Sequence, residues 1–236
     1  MDVQIAVAKV KKYATSESGD TVEIIERPAG GISVVLADGQ SSGRGAKRVS
    51  NMVARKAITM LADGVRDGAA ARAASDFLFT ERSGKVSATL NILSVDLITR
   101  TLVATRNNSA PTLIFRHGEL FVHSEHSTAV GLYRNTRPQI IEIPLEINMS
   151  ACIYTDGLVH AGKRVGTPMN TPELFSLLAA DHTLSPDDIA NQLLQHAIDL
   201  DQGRPSDDIS VVILRVCPLT ADDHIRTLSI RLPIQV

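Results

Sequence analysis

The chain has 236 residues, 44% of them hydrophobic, enough for one sizeable core and a single domain over residues 1–236. Its 24 Lys and Arg against 26 Asp and Glu leave a formal net charge of -2, and aromatics make up only 3%. That balance counts against nucleic acid as a partner, because neither a basic track for phosphates nor a stacking surface for bases is present.

The N-terminal stretch "MDVQIAVAKVKK" has an acid at position 2 and a short apolar run, unlike a signal peptide. No stretch approaches the ~20 apolar residues of a membrane helix, so the expectation is a soluble cytoplasmic protein with no membrane partner. β-Branched content or alternation predicts strands at 3–10, 21–26 and 32–37. Ala46, Val49, Val53, Ala57 and Met60 then keep a helical spacing, and an Ala-rich helix follows from Gly68 to Phe79. Strands resume at 86–97, 101–106, 111–115, 119–123, 139–143 and 151–155. "TPELFSLLAAD" opens a helix with Thr171 as N-cap and Pro172 at the first helical position. "SPDDIANQLLQHAIDLD" repeats the signal with Ser185 and Pro186, and aligns Ile189, Leu193, Ala197 and Leu200 on one face. A strand at 209–216 and a weaker one at 224–232 complete the chain. Strands and helices grouped in this way predict antiparallel sheets with helices on their outer faces, not alternating βαβ units.

Four carboxylates share a position in this pattern. Asp20 ends "SGD" before a strand, Asp38 and Asp156 each follow a strand and precede a glycine, and Asp207 opens "DDISVVIL". Asp207 and Asp208 stand side by side, so either they face water or a positive charge sits among them. If the strands are neighbours, the four carboxylates meet at one rim, and an all-oxygen set of that kind suits hard cations such as Mg²⁺ or Mn²⁺. Asp-Gly is also a common turn dipeptide, and Asp63-Gly64 and Asp67-Gly68 read as ordinary turns. Composition and spacing leave both readings of the carboxylates open.

The motifs "SGD", "VVLADGQSSGRGA", "CIYTDGL" and "RPSDDISVVIL", in that order, resemble the metal-dependent serine/threonine phosphatases of the PPM, or phosphatase 2C-like, family. The similarity is to its bacterial SpoIIE, RsbU and RsbX branch. It spans nearly the whole chain and includes the hairpin stretch "ATLNILSVDLITRTLVATRNNSAPTLIFRHGEL". The resemblance implies an α+β fold: a four-layer αββα sandwich, two antiparallel sheets with helix pairs on the outer faces. It implies two divalent ions, Mn²⁺ or Mg²⁺, at one end. Asp38 would bridge them, the Gly39 carbonyl and Asp20 would bind at the first, and Asp156 and Asp207 would hold the second. Asp38, Asp156 and Asp207 would act in catalysis through water activated by the metals. Asp208 stands where many relatives have Asn and is expected to turn away and accept backbone hydrogens.

The chain departs from its branch at several points. Ser41 replaces a common glycine, Ala110 in "NNSAP" a common His, and His160 a common Glu. No phosphate-holding Arg stands out; Lys11, Lys12 and Arg44 are the candidates, each expected to be a solvated surface charge. The implied activity is hydrolysis of phosphoserine or phosphothreonine on a regulatory protein, such as an anti-sigma-factor antagonist or a stressosome component, in bacterial partner switching. The alternatives are a catalytically inactive binding module of the same fold, or a phosphatase for small esters. "HSEHST" at 123–128 reads as a polar loop, and Cys152 and Cys217 as free thiols.

Overall fold

The computed structural model describes residues 1–219, 225–231 and 233. Ten strands form two antiparallel five-stranded sheets. The first has the order β1 (Asp2–Val10), β10 (Ile209–Cys217), β9 (Ser150–Tyr154), β6 (Thr112–Arg116), β7 (Glu119–His123). The second has the order β2 (Asp20–Glu26), β3 (Ile32–Gly39), β4 (Ala88–Asp96), β5 (Thr101–Asn107), β8 (Gln139–Pro144).

Three apolar layers separate four structural ones. Val34, Leu36, Leu93, Ile153, Val212 and Leu214 pack between the sheets. Val35, Ala37, Leu90 and Ile92, on the opposite face of the second sheet, pack against helices α1 (Gly43–Ala62) and α2 (Asp67–Arg82). Cys152, Tyr154, Val211 and Ile213 pack against α4 (Thr171–Ala180) and α5 (Pro186–Leu200) on the far side of the first sheet. The period-2 alternation of each strand assigns its two faces to two different cores. Each fully buried Leu or Ile contributes about 1.5–3 kcal/mol. The αββα sandwich is therefore the observed architecture.

The helices form where the periodicity places them, with local corrections. Ser185 caps α5 in a capping box with Asp188, which satisfies the first-turn N–H groups. In α4 the cap is Asn170, whose side chain accepts from the Glu173 N–H at 3.4 Å, so Thr171 and Pro172 lie one residue deeper than expected. Asn is as good a cap as Thr, and Pro is tolerated anywhere in a first turn that lacks N–H partners. In α1 it is Leu61, not Met60, that is fully buried. Asp67 opens α2 instead of forming a turn. Residues 225–231 form no strand, and positions 224 and 232 of the weak C-terminal strand lie outside the described residues. A five-residue helix, α3 (Asp156–His160), was not foreseen. Both cysteines are free, Cys152 buried and Cys217 half-buried.

Candidate metal centre

Strand alternation delivers the acids to one place. In β3, Val34 and Leu36 point between the sheets, and Asp38 continues that series. In β2, Val22 and Ile24 do the same, and Asp20 continues theirs. Asp20 and Asp38 are direct partners in the antiparallel register, so their side chains share a face. The intersheet layer thus changes from apolar to acidic at one rim. Gly39 is required there by packing: a Cβ would fall 2.1 Å from the Ala46 carbonyl oxygen of α1. Gly157 is required in the same way, with a Cβ 2.0 Å from the Asp208 carbonyl oxygen. Asp38-Gly39 ends strand β3 and Asp156-Gly157 opens helix α3 (Asp156–His160), so these two Asp-Gly pairs are not turn dipeptides.

Asp20 is fully buried and ties the sheets together. Its Oδ2 accepts from Ser210 Oγ at 2.6 Å and Thr155 Oγ1 at 3.1 Å, both on the first sheet's side of the rim. Its backbone carbonyl accepts from Lys9 Nζ at 3.0 Å and Lys47 Nζ at 2.6 Å. Its Oδ1 has no hydrogen-bond partner besides Asp38. Burial pushes the Asp20 carboxyl up to about 6, although the Ser210 hydroxyl and the Lys9 charge pull the other way. Asp38 is pushed up to about 9, first by burial and then by the negative charge of Asp20, Asp156 and Asp207. Burial and Asp156 also raise Asp207. Four carboxylates in this setting cannot all ionise unaided. Oxygen donors crowded together, neutralised in the metal-free protein only by holding protons between Asp20 and Asp38, fit divalent cations.

The acids open into a cleft of about 440 Å³ whose lining includes Lys12, Asp38, Gly39, Ser41, Asp156 and Asp207. A second cavity of about 320 Å³, beside Arg164 and Arg204, holds none of them. The acid in its lining, Asp201, already accepts from the Gly162 and Ser206 N–H groups. Beside the larger cleft, ligand atoms of Asp156, Asp207 and the more exposed His160 lie within 4.8 Å of one another. His160 was seen in the sequence only as a departure from relatives. The signal available was its spacing: Asp156 and His160 stand at i and i+4, which share a face once the segment is helical.

The family model for "Stage II sporulation protein E (SpoIIE)" matches residues 28–217. The chain belongs to the SpoIIE family of PPM-type phosphatases. It is 21% identical over 214 residues to Stage II sporulation protein E of Bacillus subtilis (strain 168), covering 91% of this chain and 26% of that protein. The chain therefore spans about a quarter of that relative's length. The solved PP2C phosphatase domain of SpoIIE from Bacillus subtilis, with a fragment of its regulatory domain, superposes with a TM-score of 0.78. The identity there is 20%, over 93% of this chain and 64% of that one. RsbX in complex with magnesium gives a TM-score of 0.70 at 18% identity, covering 90% of this chain and 94% of that one.

In this SpoIIE-family chain the second acid of the Asp207-Asp208 pair has a separate role. Asp208 Oδ1 accepts from the Lys12 N–H at 2.9 Å, and Oδ2 from the Gly19 N–H at 2.8 Å. It clamps both ends of the β1–β2 loop, which holds Lys12 at the cleft. Of the three basic candidates, Lys11 Nζ is taken by the Thr15 carbonyl at 2.8 Å and Arg44 pairs with Glu17 at 3.4 Å. Only Lys12 lines the cleft among the described residues. The loop between β7 and β8 borders the same opening through Ala129. It is anchored by the buried Arg106 guanidinium on the Glu125 carbonyl, by Asn107 Nδ2 on the Thr128 carbonyl at 2.9 Å, and by an isolated bridge between Ala88 and Val130. His123 and His126 join no metal-ligating group among the described residues.

Proposed function

We propose that this chain hydrolyses phosphoserine or phosphothreonine on a bacterial regulatory protein, using two divalent cations, Mn²⁺ or Mg²⁺. The observation that carries the reading is the rim of Asp20, Asp38, Asp156 and Asp207, where burial and mutual repulsion raise Asp38 and leave the buried Oδ1 of Asp20 with no donor other than a protonated Asp38. Asp38 sits among the other three acids and suits the bridging position, with Asp20 and the Gly39 carbonyl on one side and Asp156 and Asp207 on the other. When bound, the cations would supply Lewis acidity toward the phosphoryl oxygens and lower the pKa of attacking water.

The chain's own residues do the rest. Thr155 and Ser210 hold one oxygen of Asp20 and leave the other free to bind. The absence of side chains at Gly39 and Gly157 lets α1 and the β10 entrance close against the rim. Lys12, fixed at its backbone by Asp208, extends an ammonium along the cleft wall and neutralises an incoming phosphate. With one cation on the wall, further binding energy comes from protein surface, and the exposed loop at 124–138 offers it. The magnesium complex of RsbX supports the metal requirement. The substrate class in this reading is a partner-switching regulator, an anti-sigma-factor antagonist or stressosome-type protein, in a cytoplasmic setting, in line with the bacterial stressosome protein among the solved neighbours. No helix among the described residues is long and apolar enough to cross a membrane.

The test compares kcat/KM on a phosphorylated antagonist protein and on a small phosphate ester, with added Mn²⁺ and with chelator. Preference for the protein and dependence on metal are expected. Equal or better turnover of the small ester would favour a small-ester phosphatase, full turnover in verified absence of metal would sink the two-metal reading, and no turnover under any condition would favour a binding module.

A further inference from the structure

We infer that His160 is a nitrogen ligand beside Asp156 and Asp207, and that it biases this centre toward Mn²⁺ and other transition cations over Mg²⁺. The inference rests on the metal-dependent reading above and deepens it.

The distances suit one ion. Ligands about 2.1 Å from an octahedral cation lie about 3 Å apart when cis and about 4.2 Å apart when trans. The atoms offered by Asp156, His160 and Asp207 lie within 4.8 Å of each other, so small side-chain rotations close the set. Helix α3 fixes two of the three: Asp156 and His160 are one turn apart on it, and the Gly157–Asp208 contact packs the helix against the entrance of β10, next to Asp207. The imidazole makes no hydrogen bond or ion pair with any described residue, so nothing in the fold diverts it. A second observation comes from the other side of Asp38, where fully buried Asp20 keeps an oxygen with no partner but Asp38. Both flanks of Asp38 thus present ligand atoms that no residue other than Asp38 occupies.

The chemistry sets the consequence. Mg²⁺ prefers an all-oxygen shell and gives up water reluctantly, whereas imidazole suits transition ions. Replacing a carboxylate by imidazole at this place also removes one negative charge from a crowded rim. Mg²⁺ loses both a hard donor and an attractive charge, while Mn²⁺ gains a ligand it accepts.

The experiment uses tag-free protein with Mn²⁺, read by pulsed electron paramagnetic resonance, and with Mn²⁺ and Mg²⁺ in separate calorimetric titrations. A directly bound ¹⁴N coupling is expected in the wild type and lost in His160→Ala and His160→Glu. The ratio of Mn²⁺ to Mg²⁺ affinity should fall about tenfold in His160→Glu, the scale on which even outer-shell partners act. Melting without metal checks that both variants fold. Mn²⁺ bound with no nitrogen coupling, or an unchanged ratio in His160→Glu, overturns the role of His160 while leaving the carboxylate centre intact. No Mn²⁺ binding at all would overturn both.

Discussion

Asp38 and Asp67 both precede a glycine, Asp67 buried and Asp38 half-buried at the cleft. Asp67, at the start of α2, is 7% exposed and has a counter-charge: Arg27 Nη1 donates to it at 2.8 Å. Ser94 Oγ donates to its other oxygen, and Arg27 also donates to the Val65 carbonyl at 2.8 Å. Asp38 faces three more carboxylates, and burial with their charge pushes it up to about 9. One acid is completed by the protein and belongs to its stability. The other is left incomplete, and an incomplete half-buried acid points to a ligand. The same dipeptide thus serves two ends, separated by what faces the carboxylate and not by the local sequence.

The largest effect should come from Asp38→Ala. Loss of the bridging carboxylate should cost about a thousandfold in turnover, on the order of 4 kcal/mol, if it releases or misplaces both cations. Above about pH 9, where Asp38 ionises, the metal-free protein should melt no lower than wild type, since a repelling charge has gone. The rise in melting temperature on adding Mn²⁺ should shrink, because that rise follows RT ln(1 + [L]/Kd). Near-normal turnover in this variant would show that the comparison assigns Asp38 wrongly.

Asp67→Ala should do the opposite. It strands Arg27, whose side chain is 12% exposed, and should cost about 3 kcal/mol of stability. For a chain of this size that lowers the melting temperature by roughly 6–12 °C. Turnover per folded molecule below that temperature should be close to wild type. Replacing both partners with apolar residues should recover part of the loss. A variant that loses turnover while keeping its stability would place Asp67 in the site.

Much of this was legible in the sequence because it depends on periodicity. Alternation gave the strands, helical spacing gave the packed faces, and the order of both gave the layers. The meeting of Asp20, Asp38, Asp156 and Asp207 was legible only on the condition that their strands are neighbours, which the register pairing Asp20 with Asp38 supplies. Asp67 was illegible because its partners, Arg27 and Ser94, are 40 and 27 residues away. His160 was illegible because a five-residue helix has too little periodicity to show itself.

The crowded rim should also make stability depend on pH. In the metal-free protein Asp20 and Asp38 titrate near 6 and 9, against an unfolded value near 3.8. Between about pH 4 and pH 9 the native state therefore binds more protons than the unfolded state, so stability should fall as pH rises. Melting without metal should drop by several degrees across that window, and Asp38→Asn should flatten the upper part of the slope. Saturating Mn²⁺ should weaken or reverse the trend, because metal binding favours the ionised carboxylates. A metal-free protein that gains stability steadily from pH 5 to pH 9 would contradict the crowded rim.

The smallest effect separates Asp207 from its neighbour. Asp208 behaves like Asp67, since both of its oxygens are satisfied within the protein, by the Lys12 and Gly19 N–H groups. Asp208→Asn keeps one acceptor and turns an amide donor toward the other N–H. The loss should be about one hydrogen bond, roughly 1 kcal/mol, with turnover reduced only as far as the Lys12 loop loosens. That loosening should appear as a raised KM for the phosphoprotein with kcat little changed. Asp207→Asn takes a carboxylate from the rim itself and should lower kcat and Mn²⁺ affinity together. Measuring both variants at saturating and limiting Mn²⁺ distinguishes these outcomes. If Asp208→Asn proves the more damaging to kcat and metal affinity, the two adjacent acids have exchanged the roles argued for them, and Lys12 is held at the cleft by something other than Asp208.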